Sequence, residues 1–139
     1  MSKVISIRFQ DGQVERLGRL ARRIGRTPSE ASALLVEEAL RRSEFGLIDF
    51  HDSPAGRQAY VQGSSLAVWE VVLVARGYDM NAEDTASHLQ WPTSKVIAAL
   101  QYTSAYPHEI DSAIADNESI GFTELSRLLP NSELYHPVA

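Results

Sequence analysis

The chain has 139 residues, 44% apolar and 22% charged, a make-up that excludes a disordered polypeptide. It has no cysteine, which excludes a disulfide scaffold, a thiolate metal site and a cysteine nucleophile, and no apolar run approaches the roughly 20 residues that span a bilayer. The net charge of −5 hides a split: residues 1–45 hold nine bases against six acids, and residues 46–139 hold four bases against twelve acids.

The N-terminus, MSKVISIRFQ, lacks the apolar region and small-residue cleavage site of a signal peptide, so a cytoplasmic protein is expected. Val4 to Phe9 alternates, with Ile5, Ile7 and Phe9 on one face and Val4, Ser6 and Arg8 on the other, the pattern of a short strand with one buried side. Asp11 offers a helix cap, and Val14, Leu17, Ala21 and Ile24 then recur at helical spacing with Leu20 beside them. Gly25 suits the positive φ beyond a helix end. Thr27-Pro28-Ser29-Glu30 reads as a capping box with proline at the first helical position, opening a second helix that runs to about Arg42 with Leu35 among its apolar positions. A lone strand leaves its backbone groups unsatisfied. Either a second chain supplies the partner, or residues 58–62 of the same chain do. Residues 1–29 set seven bases against Asp11 and Glu15, which is the charge of a polyanion-binding arm and also that of a solvated arginine-rich helix face.

Ile5-Ser6-Ile7-Arg8-Phe9, Leu17, Ile24 and Gly25-Arg26-Thr27-Pro28-Ser29-Glu30 resemble the ribbon-helix-helix repressors of the Arc and MetJ type. The resemblance covers about the first third of the chain, residues 1–45. It implies a dimer whose paired strands enter the DNA major groove, with Val4, Ser6 and Arg8 toward base edges. It also implies phosphate contacts at Lys3, Arg26, Thr27 and Ser29, and a dimer core of Ile5, Ile7, Phe9, Leu17 and Leu35. Val4 departs from a position that is often polar or basic there, and Ser32 from one that is usually apolar.

Residues 46–57, with two glycines and a proline, read as a linker holding a possible short strand at Leu47 to Phe50. Ala59 to Gln62 reads as another strand. Helices are expected from Leu66 to Arg76, from an Asn81 cap to Leu89, from Thr93 through Tyr102, and from Pro107 through Ile114. Tyr60-Val61-Gln62-Gly63-Ser64-Ser65-Leu66, Pro92-Thr93 and His108-Glu109-Ile110 resemble the domain of unknown function 433, often found in antitoxins. Gln62 and Ser65 stand where that family usually carries arginines, and Gln58 and Ala67 replace a frequent lysine and proline. The pair of helices near 82–105 has helix-turn-helix proportions. Lys95 is its one base, so it is expected to associate with protein rather than DNA.

Residues 58–117 are therefore expected as a small helical domain. Residues 118–139 are expected as a partner-binding or packing segment, with Phe122, Leu125, Leu128, Leu129 and Tyr135 as its apolar contacts. His51, His88, His108 and His136 show no metal spacing, and neither a glycine-rich phosphate cradle nor a nucleophile elbow occurs. No enzyme, no metal and no cofactor is expected. The fold class expected is mainly α with short β: a ribbon-helix-helix dimerisation domain followed by a small helical, helix-turn-helix-like domain. The function implied is a VapB-like antitoxin, a homodimer that binds operator DNA, represses its own promoter and neutralises a PIN-like ribonuclease toxin. The alternatives are a stand-alone dimeric repressor with an oligomerisation or effector domain, and an interaction module that never touches DNA.

Overall fold

The computed structural model describes residues 2–54 and 56–128, with side chains through Asn117. Its elements in order are α1 (Asp11–Arg23), α2 (Pro28–Glu44), β1 (Ile48–Ser53), β2 (Gly56–Val61), α3 (Val68–Arg76), α4 (Ala82–Leu89), α5 (Thr93–Ala105) and α6 (Pro107–Leu128). The chain divides into two compact units, Met1–Leu40 and residues 41–139.

The expected fold class is corrected here. Residues 2–10 form neither strand nor helix, and among the described residues the β structure is a two-stranded antiparallel sheet between α2 and α3. A ribbon-helix-helix N-terminus followed by a helical domain is not what the structure shows. The physical reason is hydrogen bonding. A strand exists only where a second strand takes up its backbone groups. Among the described residues no strand pairs with residues 4–9, and the candidate mate at 58–62 pairs instead with β1, in the register Ile48↔Val61, Phe50↔Ala59 and Ser53↔Gly56. Residues 46–57, expected as a linker holding a possible short strand at Leu47 to Phe50, contain β1 and the start of β2. The first unit also ends at Leu40, within α2, rather than at residue 45.

In the first unit, local chemistry sets the helix ends. Gln10, not Asp11, precedes α1, and its N–H donates to Gln13 Oε1 at 2.9 Å. Gly25 takes φ +68°, so that its N–H reaches the Arg22 carbonyl at 3.2 Å and that of Arg26 reaches the Ala21 carbonyl at 2.8 Å. This pair of hydrogen bonds at a left-handed residue terminates the helix. At the start of α2 the capping box closes: Thr27 N–H donates to Glu30 Oε1 at 3.1 Å, and Glu30 N–H to Thr27 Oγ1 at 3.2 Å.

The second unit has the larger core. Ile48, Phe50, Ala59 and Val61 line the inner face of the hairpin against Val68, Val71 and Val72 of α3, Val96, Ala99 and Tyr102 of α5, and Ile110 and Ile114 of α6. Asn81 Oδ1 caps α4 by accepting from the Asp84 N–H at 2.9 Å. Gln90, at φ +57°, ends that helix and turns the chain through Trp91 into α5. Arg41, in the last turn of α2, reaches both Tyr102 Oη at 2.7 Å and Glu109 Oε1 at 2.8 Å, and its guanidinium lies 3.8 Å from the centre of the Tyr106 ring. Tyr102 Oη in turn donates to Glu109 Oε2. The helix expected from Pro107 through Ile114 runs on to Leu128 as α6. Within it Asn117 Nδ2 donates to the Ala113 carbonyl at 2.7 Å. No described helix is long and apolar enough to cross a membrane.

Candidate nucleic-acid interface

The first unit carries the basic charge, and its architecture leaves that charge outside. Lys3, Arg8, Arg16, Arg19, Arg22, Arg23 and Arg26 are all exposed. So are the residues assigned to base edges, Val4, Ser6 and Arg8, and those assigned to phosphates, Lys3, Arg26, Thr27 and Ser29. The structure thus places both sets in solvent, along residues 3–8 and at the start of α2.

The start of α2 is chemically specific. Of the backbone donors in its first turn, Pro28 has none, and Glu30 and Thr27 spend theirs on the capping box. Ala31 N–H bonds the Thr27 carbonyl at 2.9 Å. Ser29 N–H is the donor that remains for an anion. The bond from the Thr27 backbone, helped by the Thr27 hydroxyl and the charge of Arg26, holds the Glu30 carboxyl below its ordinary value. Glu30 is therefore an anion at neutral pH, and an incoming phosphate needs Arg26 nearby to offset it.

The expected dimer-core residues are brought together but not buried. Ile5, Ile7 and Phe9 border a groove of about 720 Å³ with Leu17, Leu20, Leu35 and Val36. Alternate residues reach the groove, as an extended chain dictates. Ile5, Ile7 and Phe9 nonetheless stay 82%, 63% and 46% exposed, and the apolar residues buried in this unit are the small Ala21 and Ala31. Ser32, the polar departure noted above, bonds the Pro28 carbonyl at 2.8 Å, which lets it sit at the groove without an unsatisfied hydroxyl. Leu20, Val36 and Arg16 also line the groove, Leu20 from the position beside the apolar stripe of α1 that helical spacing gives it.

The α4–α5 pair has a different character. Glu83 and Asp84 stand in the first turn of α4, while Lys95, on α5, lies 5.6 Å from the Trp91 ring centre. Among the described residues no group of three or more histidine or acidic side chains could hold a metal. His88 Nδ1 is 2.8 Å from the Tyr78 hydroxyl, and His51 meets the Tyr60 ring edge-on with centroids 5.1 Å apart, so both imidazoles sit in surface pairs. The proposed partner contacts Phe122, Leu125, Leu128, Leu129 and Tyr135 lie outside the residues whose side chains are described. No family model matches the chain, and neither a curated protein nor a solved structure matches it.

Proposed function

We propose that this protein is a DNA-binding autorepressor and the antitoxin of a toxin–antitoxin pair. It acts as a homodimer through its first unit, and its acidic second unit neutralises a PIN-like ribonuclease. The observation that carries the DNA half is an unfinished core beside an excess of positive charge. The first unit spans 40 residues, has no cysteine, and surrounds an open groove with exposed Ile5, Ile7 and Phe9. Units of this size ordinarily need oligomerisation, a metal or disulfides to be stable, and a second copy supplies apolar surface of the same kind. Ser6 and Arg8 then reach base edges, Arg8 with a fork suited to guanine, while Lys3, Arg26 and Ser29 hold phosphates.

The toxin half rests on the resemblance to antitoxin domains and on charge. Four bases against twelve acids in residues 46–139 complement the basic channel through which a ribonuclease takes its substrate. The test is fluorescence anisotropy on the chain's own upstream promoter, paired with co-expression with the product of the adjacent gene. The reading expects salt-sensitive promoter binding by a dimer and a stable complex with the neighbour. A chain that stays monomeric at tens of micromolar and binds no duplex overturns the DNA half, and absence of a complex overturns the antitoxin half.

A further inference from the structure

We propose that the outer face of α1, with Arg19 and Arg22 turned from the groove and Arg16 at the edge that borders it, is a phosphate-tracking surface that engages duplex DNA in addition to residues 3–8 and the start of α2. This rests on the DNA-binding reading and extends it to a helix that reading leaves unused. The three arginines follow at i, i+3 and i+6, so successive members are about 60° apart around the helix and the set spans roughly 9 Å along it. All three are exposed, and none pairs with a carboxylate among the described residues. Like charges three apart on a helix repel one another, and only Asp11 and Glu15 on α1 offset them. A polyanion relieves that repulsion.

The choice of a nucleic acid over an anionic membrane follows from the opposite face. Arg19 lies across the helix from Leu17 and Ala21. Ala21 is buried, and Leu17 and Leu20 border the groove, so the apolar stripe of α1 faces the groove and the arginine face carries no apolar surface for lipid. Guanidinium forks also match phosphate oxygens better than ammonium groups do. A duplex strand presents a phosphate about every 3.4 Å of axis, so roughly 9 Å of arginine reaches two or three.

The experiment compares the full-length wild type with R16Q/R19Q/R22Q and with R16K/R19K/R22K, on the promoter duplex and on a random duplex, across 50–200 mM KCl. Three lost phosphate contacts make the slope of log K against log salt shallower by about 2.7, so that affinity falls roughly 40-fold less over that range. The expected result is this loss on both duplexes in the glutamine variant, an unchanged ratio of promoter to random affinity, and a wild-type slope in the lysine variant. If the glutamine variant fails to fold by circular dichroism, each single Arg→Gln change is expected to lower the slope by about 0.9. A wild type that binds with a slope the substitutions leave unchanged overturns this inference alone. A wild type that binds neither duplex overturns the DNA reading and this inference with it. Phosphatidylglycerol vesicles that bind the wild type and not the glutamine variant, with an unchanged DNA slope, assign the face to a membrane and overturn the proposal.

Discussion

Replacing Tyr102 with phenylalanine isolates one hydroxyl at the centre of the second unit. The ring is fully buried and packs edge-on against Phe45 at 5.5 Å and Phe50 at 6.2 Å, and phenylalanine keeps both contacts. What disappears is the acceptor for Arg41 and the donor to Glu109. Hydrogen bonds to charged groups contribute about 1.5–3 kcal/mol each, but Arg41 and Glu109 stay paired directly at 2.8 Å, and the Glu109 side chain is 44% exposed and can rehydrate. The net loss expected is therefore about 1–2 kcal/mol, below the sum of the two bonds. Both tryptophans of the chain, Trp69 and Trp91, lie in the second unit, so tryptophan fluorescence in urea follows this unit. The midpoint should fall by about 1 M at an m-value near 1.5 kcal/mol/M. Burial first, and then Glu109, hold the Tyr102 hydroxyl above its ordinary value of 10.0. Its neutral form therefore supports folding fully below that value, and the support is lost as the pH climbs beyond it toward the higher folded value. The wild type should lose stability above about pH 10 more steeply than the phenylalanine variant. A loss under about 0.5 kcal/mol, or equal alkaline slopes, would refute the reasoning.

Three further outcomes follow from the first unit. Gly25→Ala should lower its thermal stability by about 1–2 kcal/mol, read by circular dichroism, because φ is +68° while the space for a Cβ is open, so backbone strain is the only penalty. Ile7→Asp should shift sedimentation from dimer to monomer, since it puts a charge at the groove; persistence of the dimer would place the interface elsewhere. Arg8→Ala should weaken promoter binding by about 1–3 kcal/mol and reduce discrimination against random duplex, measured by anisotropy; equal weakening on both duplexes would make Arg8 a phosphate contact.

Much of the fold could be read locally, because local bonds make it. Thr27-Pro28-Ser29-Glu30 encodes a capping box, and the box is closed. Gly25 marks a helix end, Asn81 caps α4, and the apolar alternation at 48–50 and 59–61 marks two strands. The errors sit where a distant partner decides. Ile5, Ile7 and Phe9 alternate as strand residues do, but alternation supplies no mate, and β1 has taken β2. Pro54 and Gly56 have the look of punctuation between domains, whereas Pro54 lies in the turn of a hairpin and Gly56 opens β2, its carbonyl accepting from Ser53 Oγ at 2.7 Å. Of the groove residues, Leu17 and Leu35 follow from helical periodicity. The cluster of Arg41, Tyr102 and Glu109 does not, because 61 residues separate the first two and no pattern in either neighbourhood marks them as partners.

The closed first turn of α2 bears on how quickly the protein can find a target. Its reciprocal bonds are intramolecular and formed in the free chain, so a ligand arriving at Ser29 and Arg26 meets a surface already in place. Encounter then needs no prior coil-to-helix step, and little conformational entropy is surrendered at docking. Association of such a preorganised patch is governed by diffusion and long-range attraction, and differences in residence time between competing ligands fall to the contacts made after docking.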